Sequence, residues 1–136
     1  SEFSTTSPYL VIDLLPDQNA EGDMGGTMRL GEYPCQLRKK SNAYKAYGKR
    51  EIEERHRHRY EFNNMYRIQM EEAGLKIRGL SPNGNLVEII ELEDHPWFLA
   101  GQFHPEFKSS PMSPHPLFRD FISSSLKFQK NNHHEK

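Results

Sequence analysis

The sequence has only one cysteine, Cys35, and no long apolar run. A single cysteine excludes an internal disulfide framework and suits a reducing compartment. No stretch approaches the roughly 18 consecutive apolar residues that a membrane-spanning helix needs, and none resembles a signal peptide. We therefore expect a soluble, cytoplasmic protein with no membrane partner.

The sequence also has few hydrophobic residues and a net charge close to zero. The hydrophobic content is 35% and the mean hydropathy is -0.87, which is low for a self-sufficient globular core. Eight phenylalanines, six tyrosines and one tryptophan add large buried surfaces. A net charge of -1 gives no general attraction to nucleic acid. These values indicate that the chain is part of a larger fold. Further residues of that fold would cover the face that is exposed in this chain.

A histidine and a glutamate stand two residues apart after the apolar run Trp97–Gly101. The motif is Gln102–Phe107, and it contains His104 and Glu106. In an extended backbone these two side chains would project to the same face. The carboxylate would then orient the imidazole and leave its other nitrogen free as a base. This arrangement is half of a catalytic triad, and it requires a nucleophile.

A glycine-rich segment, Gly25–Gly31, has three glycines in seven positions. Glycine at that density allows the backbone to approach a ligand closely and allows a mobile loop. The pattern by itself favours a plain turn. The residues alone therefore leave both interpretations open.

Arginine and histidine alternate through Glu51–Glu61. In a strand, the arginines would share one face and the histidines the other. Four interpretations remain open: a phosphate or nucleic-acid patch, a histidine pair that binds metal, an arginine that holds a small carboxylate, and a solvated charged strand. Flanking glutamates weaken the first interpretation, and the lack of a clear third ligand weakens the second.

Periodicity and turn residues predict the remaining elements. We expect mostly buried or amphipathic elements that alternate between strand and helix, and hence an α/β fold. The predicted elements are a buried strand over Tyr9–Leu15, a short strand over Cys35–Lys39, a helical turn over Ser41–Tyr47 ended by Gly48, a helix over Asn63–Ala73 whose Met65, Ile68 and Met70 pack on a sheet, a hairpin of Leu75–Leu80 with Leu86–Leu92, a strand over Trp97–Gln102 and a helix over His115–Phe128.

With these motifs in view, the chain resembles the C-terminal part of the glutamine amidotransferase domain of CTP synthases. The resemblance implies a three-layer α/β fold of flavodoxin type, the class I (triad) amidotransferase domain, present as its C-terminal portion only. It implies that residues 1–130 belong to this domain and that residues 131–136 are a disordered or added tail. The motifs are Met24–Gly31, Glu54–Glu61, Val87–Glu91, His95–Phe98 and Gln102–Phe107.

The same resemblance implies roles for individual residues. In this family a cysteine on a Gly-x-Cys-x-Gly turn attacks the side-chain amide of glutamine, and the released ammonia aminates UTP in a separate domain. His104 would be the general base and then the acid, and Glu106 would orient it. Arg59 would hold the α-carboxylate of glutamine, and Glu2 its α-amino group. A mobile lid tied to activation by GTP would consist of Gly25, Gly26, Thr27, Met28, Arg29, Leu30 and Gly31.

The chain departs from the family pattern because the nucleophile turn is absent. Cys35 has no glycine on either side within Tyr33–Leu37, so we interpret it as a small, partly buried residue. We therefore predict that this chain alone does not hydrolyse glutamine. The expected partners are L-glutamine and the N-terminal synthetase domain, in a homotetramer. ATP and Mg²⁺ would bind that domain, and no cofactor or metal is expected in this portion.

Three other functions remain as alternatives. Within the enzyme class, the chain could belong to another class I amidotransferase, such as one that feeds purine synthesis. It could instead be a non-catalytic regulatory module that kept the fold and the lid. Finally, Arg55, Arg57 and Arg59 could form a basic strand that binds nucleic acid.

Overall fold

Strands and short helices alternate along the chain. The computed structural model describes residues 6–14 and 28–133. The elements are β1 Ile12–Asp13, β2 Arg29–Leu37, α1 Asn42–Tyr47, β3 Glu51–His58, β4 Glu61–Phe62, α2 Arg67–Glu72, β5 Leu75–Leu80, β6 Val87–Leu92, β7 Leu99–Gly101 and α3 Pro116–His133, with 3-10 helices at Asn64–Tyr66 and Pro105–Lys108.

Five strands form the main sheet in the order β3-β2-β5-β6-β7, and β1 pairs separately with β4. Every pairing among the described strands is antiparallel. Short turns between β5, β6 and β7 permit this arrangement, whereas parallel neighbours need a long crossover. The predicted mixture of strands and helices is confirmed. The parallel sheet of a flavodoxin-type fold is not among the strands that the structure describes.

Helix α1 begins and ends where the sequence predicts. The Ser41 hydroxyl accepts a hydrogen bond from the Tyr44 N–H at 2.9 Å, as an N-cap does. Gly48 follows the helix with φ 68° and donates its N–H to the Tyr44 carbonyl, as a glycine C-cap does. The buried Glu91 carboxylate accepts from the N–H groups of Asn42 and Ala43 at 2.9 and 2.8 Å. This contact ties the start of α1 to β6.

The predicted hairpin of β5 and β6 is confirmed, and its turn residues behave as expected. Ser81 accepts a hydrogen bond from the Leu86 N–H at 2.9 Å, and Gly84 adopts φ 75°. The register is irregular around Gly79. A Cβ atom at Gly79 would lie 2.8 Å from the Cys35 sulfur. Close packing of β5 on β2 therefore requires glycine at this position.

The predicted buried strand over Tyr9–Leu15 is wrong in length and burial. Only Ile12 and Asp13 are extended, and they pair with the two-residue β4 rather than with the main sheet. Tyr9 is 73% exposed and Ile12 is 42% exposed. A run of β-branched residues does not by itself supply a partner strand. Leu15 lies outside the described residues.

The predicted helix over Asn63–Ala73 is divided into a 3-10 turn and α2, and its packing differs from the prediction. Asn63 caps the first turn by accepting from the Met65 N–H at 3.1 Å, as expected. Met65 and Ile68 are 89% and 74% exposed, so they do not pack on the sheet. Met70 does contact the apolar cluster beside β5. Only one of the three predicted contacts therefore forms.

Two apolar clusters hold the described residues together, and α3 continues beyond its predicted end at Phe128 to His133. Helices α1 and α3 contribute to the larger cluster, and α2 contributes to the smaller one. The rest of the predicted tail, residues 134–136, lies outside the described residues. The larger cluster contains Cys35, Leu37, Ala43, Ala46, Ile52, Ile89, Phe103 and Leu117, and the smaller one contains Phe62, Ile77 and Val87.

Candidate active site

His104 and Glu106 form a hydrogen-bonded pair. The distance from His104 Nδ1 to Glu106 Oε1 is 2.7 Å, so the imidazole donates its Nδ1 proton to the carboxylate. The predicted extended backbone is wrong, because Pro105–Lys108 form a 3-10 turn. Phe107 donates its N–H to the His104 carbonyl at 3.2 Å and closes that turn. A tight turn therefore brings together the two side chains that the sequence assigned to one face of a strand.

Two further contacts and one charge effect define the state of this pair. The His104 N–H donates to the Arg55 carbonyl of β3 at 2.8 Å. The imidazole stacks on Phe107, with ring centroids 5.1 Å apart and planes inclined by 24°. The hydrogen bond from His104 lowers the pKa of Glu106, which keeps the carboxylate charged. Among the described residues none hydrogen-bonds to His104 Nε2, so that nitrogen can accept a proton.

Arg59 is exposed in the bend that follows β3. The adjacent Tyr60 carbonyl accepts a hydrogen bond from Gln102 Nε2 at 3.1 Å, and Gln102 lies two residues before His104. This contact therefore places the backbone beside Arg59 next to the segment that follows β7 and contains His104. Glu2, the other predicted glutamine-binding residue, lies outside the described residues.

The predicted lid ends earlier than the sequence indicated. Gly25, Gly26 and Thr27 lie outside the described residues, but β2 begins at Arg29 and pairs Arg29 with His58. The last three lid positions, 29–31, therefore belong to a strand and not to a loop. Gly31 has φ 102°, and a Cβ there would meet nothing within 4 Å, so conformation rather than space favours glycine. Positions 29–31 of the predicted lid therefore lie in β2, which pairs with β3. The Arg55 carbonyl of β3 also accepts the hydrogen bond from the His104 N–H.

A buried ionic network explains why Arg29 is fixed. Its guanidinium donates to Glu88 at 2.8 and 3.2 Å and to Glu61 at 3.1 Å. His58 Nε2 lies 2.9 Å from the same Glu61 oxygen. Both glutamates are 1% exposed, and burial raises the pKa of Glu88 although Arg29 partly offsets this effect. Sequence reasoning missed the network; its only signal was a glutamate inside the apolar run of β6.

The predicted division of the Arg-His strand into two faces is confirmed. Arg55 and Arg57 are exposed, whereas His56 is 1% exposed. Neither ring nitrogen of His56 has a hydrogen-bond partner in the part of the chain that the structure describes. Within residues 6–14 and 28–133, no three His, Cys, Asp or Glu side chains are grouped to hold a metal ion. The histidine side of β3 therefore packs inward.

Burial of His56 predicts a loss of stability in acid. Burial, and then the nearby charges of Arg29, His58 and His104, lower the pKa of His56 to about 3. An unfolded histidine takes up a proton near pH 6.5, so the unfolded chain binds more protons between pH 6.5 and 3. The free energy of unfolding then falls by about 1.4 kcal/mol for each pH unit below 6.5.

We expect His56→Leu to reduce this slope. Between pH 6 and pH 5 the variant should lose about 1 kcal/mol less stability than the wild type, measured by urea unfolding of the chain. His95→Leu is the matched control, because His95 is exposed. Equal slopes for wild type and His56→Leu would show that His56 titrates normally.

Cys35 is not placed as a nucleophile. It is 1% exposed in the larger apolar cluster, and burial raises the pKa of its thiol to about 12. A protonated, inaccessible thiol does not attack an amide. Cys35 was predicted to be a small, partly buried residue, and the structure shows that it is fully buried.

The comparisons with known proteins identify the family of the chain. The family model described as "Glutamine amidotransferase class-I" matches residues 9–124. The chain therefore belongs to the class I glutamine amidotransferase family.

Within this family, the chain is similar to CTP synthases. It is 62% identical to the CTP synthase of Carboxydothermus hydrogenoformans and 59% identical to that of Syntrophus aciditrophicus, each over 96% of this chain and 24% of the relative. The glutaminase domain of Trypanosoma brucei CTPS, solved with bound acivicin, superposes with a TM-score of 0.84 at 36% identity, over 93% of this chain and 49% of that one. The chain thus spans about a quarter of the length of the curated relatives. No helix within the described residues is both long and apolar enough to cross a bilayer.

Proposed function

We propose that this chain is the part of a CTP synthase glutaminase domain that supplies the general base and its orienting carboxylate. The hydrogen bond of 2.7 Å between His104 and Glu106 carries the proposal. A base with one nitrogen held by a carboxylate and the other free suits the activation of a nucleophile. The similarity to CTP synthases supports this family over a purine-pathway amidotransferase.

The proposed reaction is hydrolysis of the glutamine side-chain amide. His104 Nε2 takes the proton of a cysteine thiol supplied by another part of the protein, and the thiolate adds to the amide carbon. The imidazolium returns the proton to the leaving nitrogen, so that ammonia departs and a glutamyl thioester remains. His104 then activates a water that releases glutamate and regenerates the thiol. Glu106 stabilises the imidazolium in both steps.

The proposed whole protein uses the ammonia to convert UTP to CTP. ATP and Mg²⁺ would bind its separate synthetase domain. GTP would act through the predicted lid, Gly25–Gly31, whose last three positions begin β2, and the assembly would be a homotetramer. Glu2 is proposed, as before, to bind the α-amino group of glutamine.

We propose that Arg59 binds the α-carboxylate of glutamine. Its exposed guanidinium lies on the bend next to the Tyr60–Gln102 contact, and a planar guanidinium can hold a carboxylate by two hydrogen bonds. In the full-length protein, Arg59→Ala should raise the KM for glutamine about 10–150-fold, which corresponds to a lost charge-assisted contact of about 1.5–3 kcal/mol. Initial rates of glutamine hydrolysis measure this change.

Arg57→Ala is the control for this experiment, because Arg57 is also exposed and lies two residues earlier on β3. It should leave the KM within about twofold of the wild type. An unchanged KM in Arg59→Ala would remove Arg59 from the glutamine site.

An exposed apolar surface supports the proposal that more of the same domain packs on this chain. A cavity of about 320 Å³ is lined by Trp97, Phe98, Phe103 and Phe121, among other residues. Ile122 and Leu126 of α3 are 55% and 52% exposed. Exposed apolar area of this kind marks an interaction surface. Since the chain matches 49% of a solved glutaminase domain, we propose that the cysteine-bearing part of that domain covers this surface.

The 136-residue chain alone should show no glutaminase activity. Co-expression with the preceding part of the domain should restore glutamine hydrolysis, measured as glutamate release, and Cys35→Ser should leave the restored rate unchanged because Cys35 is buried. Glutamate release by the isolated chain that Cys35→Ser abolishes would contradict the proposed placement of the nucleophile. A restored complex that binds but does not hydrolyse glutamine would favour a non-catalytic module.

A further inference from the structure

Positive charge is concentrated in the segment that joins β2 to β3. Residues 38–50 contain six lysines and arginines and no aspartate or glutamate, although the whole chain has a net charge of -1. All six side chains are exposed. We name this segment, which includes helix α1, the basic loop. Its cations are Arg38, Lys39, Lys40, Lys45, Lys49 and Arg50.

The fold brings the two ends of the basic loop side by side. Leu37 donates its N–H to the Arg50 carbonyl at 2.7 Å, and Arg38 donates to the Arg78 carbonyl at 2.8 Å. Arg38 and Arg50 therefore lie at the same end of the sheet. Lys40 adopts φ 66° in the turn that follows.

A concave surface lies beside these cations. A cavity of about 440 Å³ lies between the basic loop, where Arg38, Lys39 and Arg50 line it, and the β5–β6 turn at Ser81–Gly84. That volume is within the range of small-ligand sites, about 300–1,000 Å³. The surface therefore combines three cations with enough room for a small molecule.

Acidic side chains near the cavity do not neutralise it. The Glu91 carboxylate is buried against the N–H groups that begin α1, and Glu93 forms an ion pair with Arg78. Glu51 and Glu53 line a different cavity, together with Lys49 and Lys108. The charge that faces this cavity is consequently positive.

We propose that this cavity is a second ligand site, which binds a small anion carrying several phosphate groups. Adjacent arginine and lysine side chains suit phosphate oxygens. The site is separate from His104: from Arg50 to Arg55, whose carbonyl holds His104, β3 extends roughly 17 Å. A concave site of this volume favours a compact anion over a duplex or a membrane surface.

The test is a titration of the 136-residue chain with inorganic tripolyphosphate at low ionic strength, in which calorimetry measures binding. We expect saturable binding of one anion per chain. The triple variant Arg38→Gln, Lys39→Gln and Arg50→Gln should bind at least tenfold more weakly, a loss of about 1.4 kcal/mol. Its urea-unfolding midpoint should match that of the wild type, because all three side chains are exposed.

The matched control carries Arg57→Gln, Lys127→Gln and Lys130→Gln, which remove the same charge from exposed positions elsewhere. It should retain binding within about twofold. Equal weakening in both triple variants would reveal only diffuse attraction and would overturn the proposal. Absence of saturation, or tighter binding of a DNA duplex or of anionic phosphatidylserine vesicles than of tripolyphosphate, would overturn it as well.

Discussion

His104→Ala in the full-length protein is expected to lower glutamine-dependent CTP formation by about 10²–10⁴-fold, the contribution of a general acid–base group. The free Nε2 of His104 is the proposed proton acceptor. Formation of CTP from added ammonia should remain within about twofold of the wild type, because that reaction bypasses the glutaminase site. Parallel assays with glutamine and with ammonium chloride measure both rates.

Two further variants make this result specific. Glu106→Gln keeps an acceptor for the Nδ1 proton but removes the negative charge, so its glutamine-dependent rate should fall less than that of His104→Ala. His95→Ala changes another exposed histidine, whose Nδ1 only accepts the Trp97 N–H, and it should leave both rates unchanged. Loss of the ammonia-dependent rate in His104→Ala would instead indicate that His104 is needed for folding.

Local sequence signals predicted the elements whose determinants are adjacent in the chain. Ser41 and Gly48 delimit α1 through hydrogen bonds to its own backbone, and the turn before Leu86 joins two strands of the predicted hairpin. The same holds for the His104–Glu106 pair, whose two residues lie within one turn. The predicted backbone conformation of this pair was wrong, yet the extended and the 3-10 conformations both place the two side chains together.

Signals that depend on distant partners did not predict structure. The run at Tyr9 has the composition of a buried strand, but only two of its residues find a partner strand. Met65 and Ile68 have helical spacing, yet nothing described covers them. The hydrogen bond from His104 to the Arg55 carbonyl joins residues far apart in sequence, so no periodicity could reveal that β3 supports the site.

The buried network is the clearest case of a feature that sequence reasoning could not reach. Arg29 and Glu88 are 59 residues apart, and their hydrogen bonds are buried. From the sequence, Arg29 is one residue of a glycine-rich segment and Glu88 interrupts an apolar strand. Because both charges are desolvated, each one is stable in the interior only when the other is present.

Arg29→Met should lower the free energy of unfolding by about 3–5 kcal/mol at pH 7, as expected when one partner of a buried pair is removed. Glu61 and Glu88 would then be buried together without their shared cation, although Glu61 keeps its contact with His58. Urea unfolding of the chain measures the change. Arg57→Met, which removes an exposed arginine of β3, is the control and should change stability by less than about 0.5 kcal/mol.

The pH dependence and a second substitution test the cause of this loss. Burial already raises the pKa of Glu88, and removal of Arg29 raises it further, so Glu88 of Arg29→Met takes up a proton at a higher pH than in the wild type. The difference in stability between variant and wild type should therefore shrink as the pH falls from 7 to 5. Adding Glu88→Leu to Arg29→Met should also recover part of the loss at pH 7, because an apolar pair needs no desolvated charge. A deficit that is constant with pH and unchanged by Glu88→Leu would mean that Arg29 stabilises the fold by packing alone.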